Sequence, residues 1–261
     1  MRRDRQRVVI YSILFCLGFL LIWQLISAPA TGGRSQGLPG PLAVGETAWE
    51  MVSNPFYDNG PNDKGIGLQM LFSLGRLAIG YMAAALVAIF LGVILGLSPT
   101  LYRAVNPYIQ ILKPISPLAW MPLFLYTIKH AGTAAVLVVF MSSLWPTLAN
   151  TAFGVASIKR DYLNVSAILQ LSWFGRLFRV ILPAAAPAIV AGLRISIGSA
   201  WIAIVAAEML IGGTGVGYFV WNEWNNLALT SVIFAILAIG LVGVLLDAGL
   251  GRLSKLVAYS E

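Results

Sequence analysis

The chain has 261 residues, of which 59% are hydrophobic and only 10% are charged, and its mean hydropathy is +0.83. Soluble globular proteins carry about 25% charged residues, so this composition excludes a soluble globule and indicates an integral membrane protein. The formal net charge of +7 does not indicate a nucleic-acid partner, because the basic residues lie mostly beside the hydrophobic segments, where membrane topology explains them.

The N-terminus combines a basic segment, MRRDRQR, with an apolar segment from Val8 to Ile26. A secretory signal peptide has the same order of regions, but this apolar segment of about 19 residues is long enough to cross a hydrocarbon core of roughly 30 Å. We therefore predict a retained first transmembrane helix. The polar segment from Ser27 to Met70 is rich in Gly and Pro. It predicts extracytoplasmic turns around Pro61 and a short interfacial helix around Trp49.

Five further hydrophobic segments have the length and composition of membrane spans. They cover Gly75–Leu97, Pro107–Ile128, Thr133–Ser157, Ala184–Leu210 and Leu229–Gly249. Together with the first helix they predict an all-α integral membrane protein with about six transmembrane helices and both termini in the cytoplasm. We divide the chain into residues 1–70, an N-terminal transmembrane helix with an extracytoplasmic loop, and residues 71–261, a core of five helices.

The distribution of the 17 lysine and arginine residues supports this topology. Twelve, Arg194 among them, lie on the predicted cytoplasmic side and four on the outer side, which is the bias that the positive-inside rule predicts. Lys113 falls within a span. The outer four are Arg34, Lys64, Arg76 and Lys129.

The connection between the fourth and fifth spans, residues 159–185, is polar and basic, and its pattern favours two short helices. The first is predicted from Arg160 to Leu171. The second is predicted to begin at Ser172, a favoured N-cap residue, and to stop before Pro183, which breaks helices. A structured cytoplasmic elbow in a membrane protein indicates a docking site.

The third span is irregular, because three prolines fall within nine residues of the sequence KPISPLAWMP. Interrupted helices occur at membrane depth only where protein or a water-filled cavity satisfies the freed carbonyl groups, so either a substrate path or a packing kink is expected here. Buried ionisable residues add two candidates. Lys113 attracts an anion or snorkels to the surface, and Glu208 pairs across helices or gates the outer mouth. The candidate pathway residues are Lys113, Pro114, Pro117, Trp120 and Glu208.

Small residues in the fifth span predict a helix-packing face rather than a ligand site. They are Gly192, Ser196, Gly198 and Ser199. The glycines of IGGTGVG, residues 211–217, superficially resemble a dinucleotide-binding loop. They follow a membrane span without a βαβ unit, and we predict an extracytoplasmic turn.

The sequence offers no catalytic, cofactor or metal site. It lacks the phosphate-binding motif G-x-x-x-x-G-K-[ST], so any ATP and Mg²⁺ would bind to another polypeptide. One histidine, His130, and one cysteine, Cys16, are too few for a zinc site or a catalytic triad. No internal repeat is evident, so a pore requires a second subunit, most economically a second copy of the chain.

The elbow resembles the EAA loop of permease subunits from bacterial binding-protein-dependent ABC importers, whose pattern is E-A-A-x3-G-x9-I-x-L-P. Asn164, Val165 and Ser166 take the E-A-A places and Gln170 the Gly place, so the spacing holds while the Glu and Gly identities do not. The resemblance implies that the elbow inserts into a cleft on an ATPase subunit. The residues it assigns to ATPase coupling are Asn164, Ser166, Leu169, Gln170, Trp173, Phe174, Val180, Leu182 and Pro183.

A wider resemblance, from about Leu68 to Leu250, is to the nitrate, bicarbonate, cyanate, taurine and sulfonate permease group. It is carried by SLGRLAIGY, LKPISPLAWMPLF, GLRISIGSAWIAIVAAEML and GGTGVGYFVWNEWNN. It implies a type I ABC importer permease fold in the bacterial inner membrane. It also implies a homodimer, cytoplasmic ATP-binding subunits and an extracytoplasmic solute-binding protein. The acidic residues Glu46, Glu50, Asp58 and Asp63, or the outer residues Trp221, Glu223 and Trp224, are candidate contacts for that binding protein.

The function implied is that of a permease subunit of an ATP-driven importer for a small inorganic anion, with nitrate or nitrite as first choice and bicarbonate as the alternative. From other classes, a channel, an ion-coupled carrier or a membrane-embedded enzyme remain. A carrier is expected to hold more coupled intramembrane acids than Glu208 and Asp247. An enzyme is expected to show a convergent cluster of His, Cys or carboxylate groups.

Overall fold

The computed structural model describes residues 2–27, 38–60 and 63–257. Arg34 and Pro61, both assigned above to the outer side, lie outside these residues. The described chain is almost entirely helical. Its helices are α1 (Arg2–Ser27), α2 (Pro41–Ser53), α3 (Ile66–Leu97), α4 (Pro99–Leu112), α5 (Met121–Ile128), α6 (Ala131–Ala156), α7 (Arg160–Ile168), α8 (Trp173–Arg176), α9 (Leu182–Ile211), α10 (Val216–Asn225) and α11 (Leu229–Val257).

Five of the described helical segments are long and apolar enough to cross a membrane: α1, α3, α6, α11 and the segment that contains α9. A sixth crossing is broken, because α4 and the segment Pro117–Ile128 meet at an angle of 83°. The irregularity predicted for the third span, Pro107–Ile128, is therefore confirmed, although its helical part starts earlier, at Pro99. Proline cannot donate a backbone hydrogen bond, and the residue before it avoids helical geometry. Ser116, which precedes Pro117, is accordingly extended, with φ −56° and ψ 127°.

Helices α3 and α6 form the centre of the bundle and run parallel to each other. Gly80 of α3 packs against Val139 of α6, and Gly96, four turns later, packs against Val155. Since both residue numbers rise together, the chain must return across the bundle between the end of α3 and the start of α6. The bent α4–α5 pair makes this return, which gives six crossings and places both ends of the described chain on one side.

Helix α9 packs antiparallel to α6, and α11 packs antiparallel to α9. The hydroxyl of Thr147 in α6 donates to Ser196 Oγ in α9 at 2.9 Å, and Gly192 packs against Asn150. These contacts confirm the predicted packing face at these two α9 positions. Gly198 differs, because a Cβ atom built there would meet no atom within 4 Å.

Two cations assigned above to the aqueous sides lie inside spans instead. Arg76 belongs to α3 and forms an ion pair with Glu208, and Arg194 belongs to α9 and forms an ion pair with Asp247. Both helices are long and apolar enough to cross a membrane, so the two residues are carried on these helices and not on the connecting loops. Each arginine sits in a span because a carboxylate on a neighbouring helix compensates its charge.

The short helix predicted around Trp49 is confirmed as α2, which packs against α11 and buries Val44. Trp49 itself is exposed. The end of α1 is tied to the start of α2, since Trp23 Nε1 donates to the carbonyl of Pro39 at 3.0 Å. The main apolar core lies between α3, α6, α9, α10 and α11, where Val138, Val139 and Ile204 are completely buried.

Gly92→Ala is expected to destabilise the bundle, whereas Gly75→Ala in the same helix is expected to be neutral or stabilising. A Cβ atom on Gly92 would lie 2.6 Å from Thr151 Cβ, while one on Gly75 would meet no atom within 4 Å. Overpacking costs roughly 1–3 kcal/mol, and alanine gains up to about 1 kcal/mol in helix propensity. The melting temperatures of the two purified variants in detergent measure this difference. Equal values would contradict the close α3–α6 contact.

Candidate functional site

The elbow, residues 159–185, begins with α7. A residue with left-handed backbone geometry, Gln170, follows the end of this helix. Helix α7 starts at Arg160 as predicted but ends at Ile168, three residues before the predicted end at Leu171. Gln170 has φ 49°, and the amide of Leu171 donates to Ser166 O at 3.2 Å while the amide of Gln170 donates to Ala167 O at 3.0 Å. This pair of bonds is a Schellman motif, in which glycine is the usual left-handed residue. Gln170 occupies the Gly place of the EAA pattern. The left-handed backbone at this position explains why the pattern has glycine there.

The second helix of the elbow does not stop before Pro183, which corrects the prediction. Ser172 is its N-cap, with the side-chain oxygen accepting from the amide of Gly175 at 3.2 Å. The helix then continues through a π-helical turn, Leu177–Ile181, directly into α9, and forms one helical segment of 39 residues from Trp173 to Ile211. Pro183 follows the π-helical turn by two residues, at a point where the regular hydrogen-bond ladder is already interrupted.

The residues assigned to coupling divide into an outward-facing group and an inward-facing group. Ser166 is buried, and Val180 and Leu182 are half-buried against the bundle. The side chains of Trp173 and Phe174 are exposed and pack edge to face, with ring centroids 5.1 Å apart. The exposed group is Asn164, Leu169, Gln170, Trp173, Phe174 and Pro183.

A cleft of about 860 Å³ lies between the elbow and the ends of α6 and α9. Leu169 and Val180 line it from the elbow, and Gly154 and Pro187 line it from α6 and α9. The elbow therefore presents exposed apolar side chains on its surface and an apolar cleft behind them. An exposed apolar surface of this kind marks a site of protein or membrane contact.

The candidate pathway residues do not meet at one site. Lys113 and Pro114 are exposed at the break after α4, and Pro117 is half-buried. Trp120 stacks on Phe124, with ring centroids 6.4 Å apart. Glu208 belongs to a separate cluster in the core.

Glu208 is completely buried, and two helices, α3 and α10, supply donors to its carboxylate. Arg76 Nη1 donates to Oε1 at 2.7 Å, Ser73 Oγ donates to Oε2 at 2.6 Å, and the amide of Gly217 donates to Oε2 at 3.2 Å. The cross-helix pairing predicted for Glu208 is therefore confirmed. Sequence reasoning missed its partner, although the lone arginine in the apolar stretch SLGRLAIG was a visible signal.

The same cluster holds the glycine-rich loop against the bundle. Arg76 donates to the carbonyl and the hydroxyl oxygen of Thr214. The amide of Gly215 donates to Gln69 Oε1 at 2.6 Å, and the amide of Val216 donates to Ser73 Oγ at 2.8 Å. The first amides of α10 are thus capped by side chains from α3. A dinucleotide site is excluded here, because protein groups already occupy these donors.

Glycine is required in this loop for two physical reasons. Gly212, Gly213 and Gly215 have positive φ values of 72°, 94° and 119°, which side chains disfavour. A Cβ atom on Gly215 would overlap the Glu208 carboxylate, and one on Gly217 would overlap the carbonyl of Val205. The turn predicted from the glycines is present, and it is tightly packed against the neighbouring helices.

A polar pocket of about 340 Å³ lies beside the start of α3, between residues 57–69 and α10. Lys64 pairs with Asp58, and its hydrogen bond lowers the pKa of the Asp58 carboxyl. Partial burial, with a hydrogen bond to Asp63, raises the pKa of the Tyr57 phenol. Asp63 and Glu223 line the pocket, so one residue from each candidate docking set meets there.

Comparison with known proteins shows the family. Residues 65–259 match the family described as the inner membrane component of binding-protein-dependent transport systems. The chain belongs to this family. It is accordingly a multi-pass inner-membrane permease subunit of an ABC importer.

Individual relatives and a solved structure agree with this assignment. The chain is 43% identical over 242 residues to the nitrate import permease NrtB of Synechocystis sp., covering 93% of this chain and 86% of that protein. It is 42% identical over 260 residues to the bicarbonate transport permease CmpB of the same organism, covering 99% and 92%. The taurine permease TauC of Escherichia coli is 33% identical over 183 residues, covering 70% of this chain and 66% of that protein.

The inward-facing methionine ABC transporter MetNI matches the fold with a TM-score of 0.63 at 14% identity, over 73% of this chain and 95% of that chain. This likeness supports the type I ABC permease architecture. At this level of identity it shows the fold alone.

Glu208→Ala is expected to destabilise the permease by roughly 3–5 kcal/mol, because it leaves the buried Arg76 guanidinium without its counter-charge. The double variant Arg76→Met/Glu208→Met removes both charges and is expected to recover most of this loss, since apolar replacement of a buried pair is often neutral. Thermal unfolding of both variants in detergent gives the comparison. A single variant as stable as the unmodified protein would show that the pair does not hold α3 to α9.

Proposed function

We propose that this permease carries nitrate or nitrite through the inner membrane in an ATP-driven importer. The observation that carries this proposal is the 43% identity to NrtB nitrate import permeases over 93% of the chain. Bicarbonate is the second candidate, because CmpB is almost equally similar and covers 99% of the chain. Both substrates are planar monoanions, so a pathway that accepts one has the size and charge to accept the other.

The partners in this proposal are a second copy of the chain, two cytoplasmic ATP-binding subunits and an extracytoplasmic solute-binding protein. ATP and Mg²⁺ bind to the cytoplasmic subunits, and this chain holds no cofactor and performs no catalysis itself. The exposed apolar surface of Leu169, Trp173 and Phe174 supports docking of the elbow into an ATPase cleft. The elbow then lies in the cytoplasm, as do both termini, because six crossings place the termini on the elbow side.

The continuous helix from Trp173 to Ile211 provides the mechanical link of the mechanism. Closure of the ATPase subunits displaces the elbow, and the displacement passes along α9 to its far end. There Glu208 joins α9 to α3 and α10, so the three helices move together. The dimer switches from inward to outward facing, the binding protein releases the anion, and ATP hydrolysis resets the permease.

The test of this proposal is anion uptake by liposomes that contain the permease, its ATPase subunits and its binding protein. Nitrate uptake that requires both ATP and the binding protein is the expected result. Competition by bicarbonate decides between the two substrates. Equal nitrate flux through the permease alone would overturn the importer and favour a channel or carrier.

Leu169→Asp, Trp173→Asp and Phe174→Asp are each expected to abolish uptake or to prevent assembly, because a carboxylate on the apolar docking surface must be desolvated against the ATPase. Co-purification of the ATPase subunits with tagged permease measures assembly, and ATP-dependent nitrate uptake measures coupling. Leu227→Asp is the matched control for co-purification of the ATPase subunits. Leu227 is 79% exposed and Leu169 64%, but Leu227 follows α10 at the opposite end of the bundle. Unaltered assembly and uptake in the elbow variants would contradict the role of the elbow.

A further inference from the structure

Arg194 and Asp247 form a second ion pair on α9, far from the elbow surface and from Glu208. Arg194 Nε donates to Asp247 Oδ1 and Nη2 donates to Oδ2, both at 2.7 Å. The two parallel bonds form the bidentate fork that guanidinium groups make with planar oxyanions. Unlike Glu208, this pair is open: the two side chains are 47% and 51% exposed.

Arg194 and Asp247 belong to two helices, α9 and α11, that are long enough to cross a membrane. Arg194 is twelve residues after Leu182 and seventeen before Ile211. At 1.5 Å per residue it lies about 18 Å and about 26 Å from the two ends of α9. A charged pair facing lipid at this depth is costly, so intramembrane ionisable residues face a protein interior or a water-filled cavity. On this ground we infer that the exposed edge of the pair faces a water-filled cavity.

The surroundings of Arg194 are packed on one side and open one helical turn away. On one side Gly251 of α11 approaches Arg194, since a Cβ atom there would lie 3.5 Å from Cζ. One helical turn towards the opposite end of α9, a Cβ atom on Gly198 would meet no atom within 4 Å. Asp247 uses two of the five N–H donors that arginine carries.

We propose that Arg194 is a contact site for planar oxyanions in the translocation path, and that Asp247 holds the guanidinium when no anion is bound. The inference deepens the proposed function and rests on it. Nitrate and bicarbonate present two coplanar oxygens, as a carboxylate does, so they fit the same fork. Asp247 balances the arginine charge in the empty path and competes with the anion, which keeps binding weak enough for release.

The test uses the single cysteine of the chain. In a Cys16→Ser background, Gly198→Cys places a reporter thiol in the open space beside Arg194. The assembled importer is treated with a membrane-impermeant thiol reagent at increasing nitrate concentrations, with chloride at equal ionic strength as the control. The expected result is a modified thiol that nitrate protects and chloride does not.

Two further variants distinguish an anion site from a structural tether. Each of them, Arg194→Gln or Asp247→Asn, is combined with the Gly198→Cys reporter. The Arg194→Gln change is expected to raise the half-protecting nitrate concentration by about tenfold or more, because a charged bidentate donor is lost. The Asp247→Asn change is expected to lower that concentration, because the competing carboxylate is gone. Shifts of the half-protecting nitrate concentration in opposite directions in the two variants support the anion site. Equal shifts in the two variants, or protection that neither variant changes, would overturn it in favour of a tether between α9 and α11.

A thiol that the aqueous reagent cannot reach would also overturn the inference, because the pair would then face lipid or protein. This readout does not depend on transport. If liposome uptake of nitrate fails while nitrate still protects the thiol, the proposed substrate is wrong and the oxyanion site stands. If uptake succeeds without protection, the importer stands and the site fails.

Discussion

The buried carboxylate of Glu208 is the constraint on which the rest of the bundle depends. A charge in the core is tolerated only when a counter-charge and hydrogen-bond donors compensate its lost hydration. Arg76 and Ser73 of α3 and the amide of Gly217 in α10 provide them. These donors force α3, α9 and α10 to converge at one end. The loop between α9 and α10 must then pass over the carboxylate, where only glycine fits at position 215.

Because Glu208 fixes one end of α9, the long helix can transmit movement from its other end. From Trp173 to Ile211 the chain is one helical segment, so a displacement of the elbow cannot be absorbed by a flexible linker. The regular hydrogen-bond ladder is interrupted at the π-helical turn Leu177–Ile181, and bending costs least there. Beyond that turn, contact with α6 through Gly192 and Ser196 keeps α9 straight against the core. In the proposed mechanism, motion at the elbow would thus be carried to the ion pair at the far end.

Hydropathy and turn chemistry predicted most of the fold, because span length and glycine content are local properties of the sequence. The positions of five spans, the helix around Trp49 and the N-cap at Ser172 followed from them. The break before Pro117 and the left-handed Gln170 were harder, since each is a local exception that tertiary contacts decide. The partners of Glu208 and Arg194 were out of reach, because pairing between residues 132 and 53 positions apart depends on which helix faces pack together.

The two arginine–carboxylate pairs on α9 differ in burial, and we infer from this difference that they differ in role. At Glu208 the carboxylate has three donors and no exposed surface, so nothing can enter without breaking the fold. Asp247 and Arg194 satisfy each other alone and keep about half of their side-chain surface exposed. An exposed pair contributes little to stability, so stability does not explain two charges at this depth in a membrane. A role in binding an anion does, because the guanidinium must stay charged and accessible for the anion to exchange with Asp247.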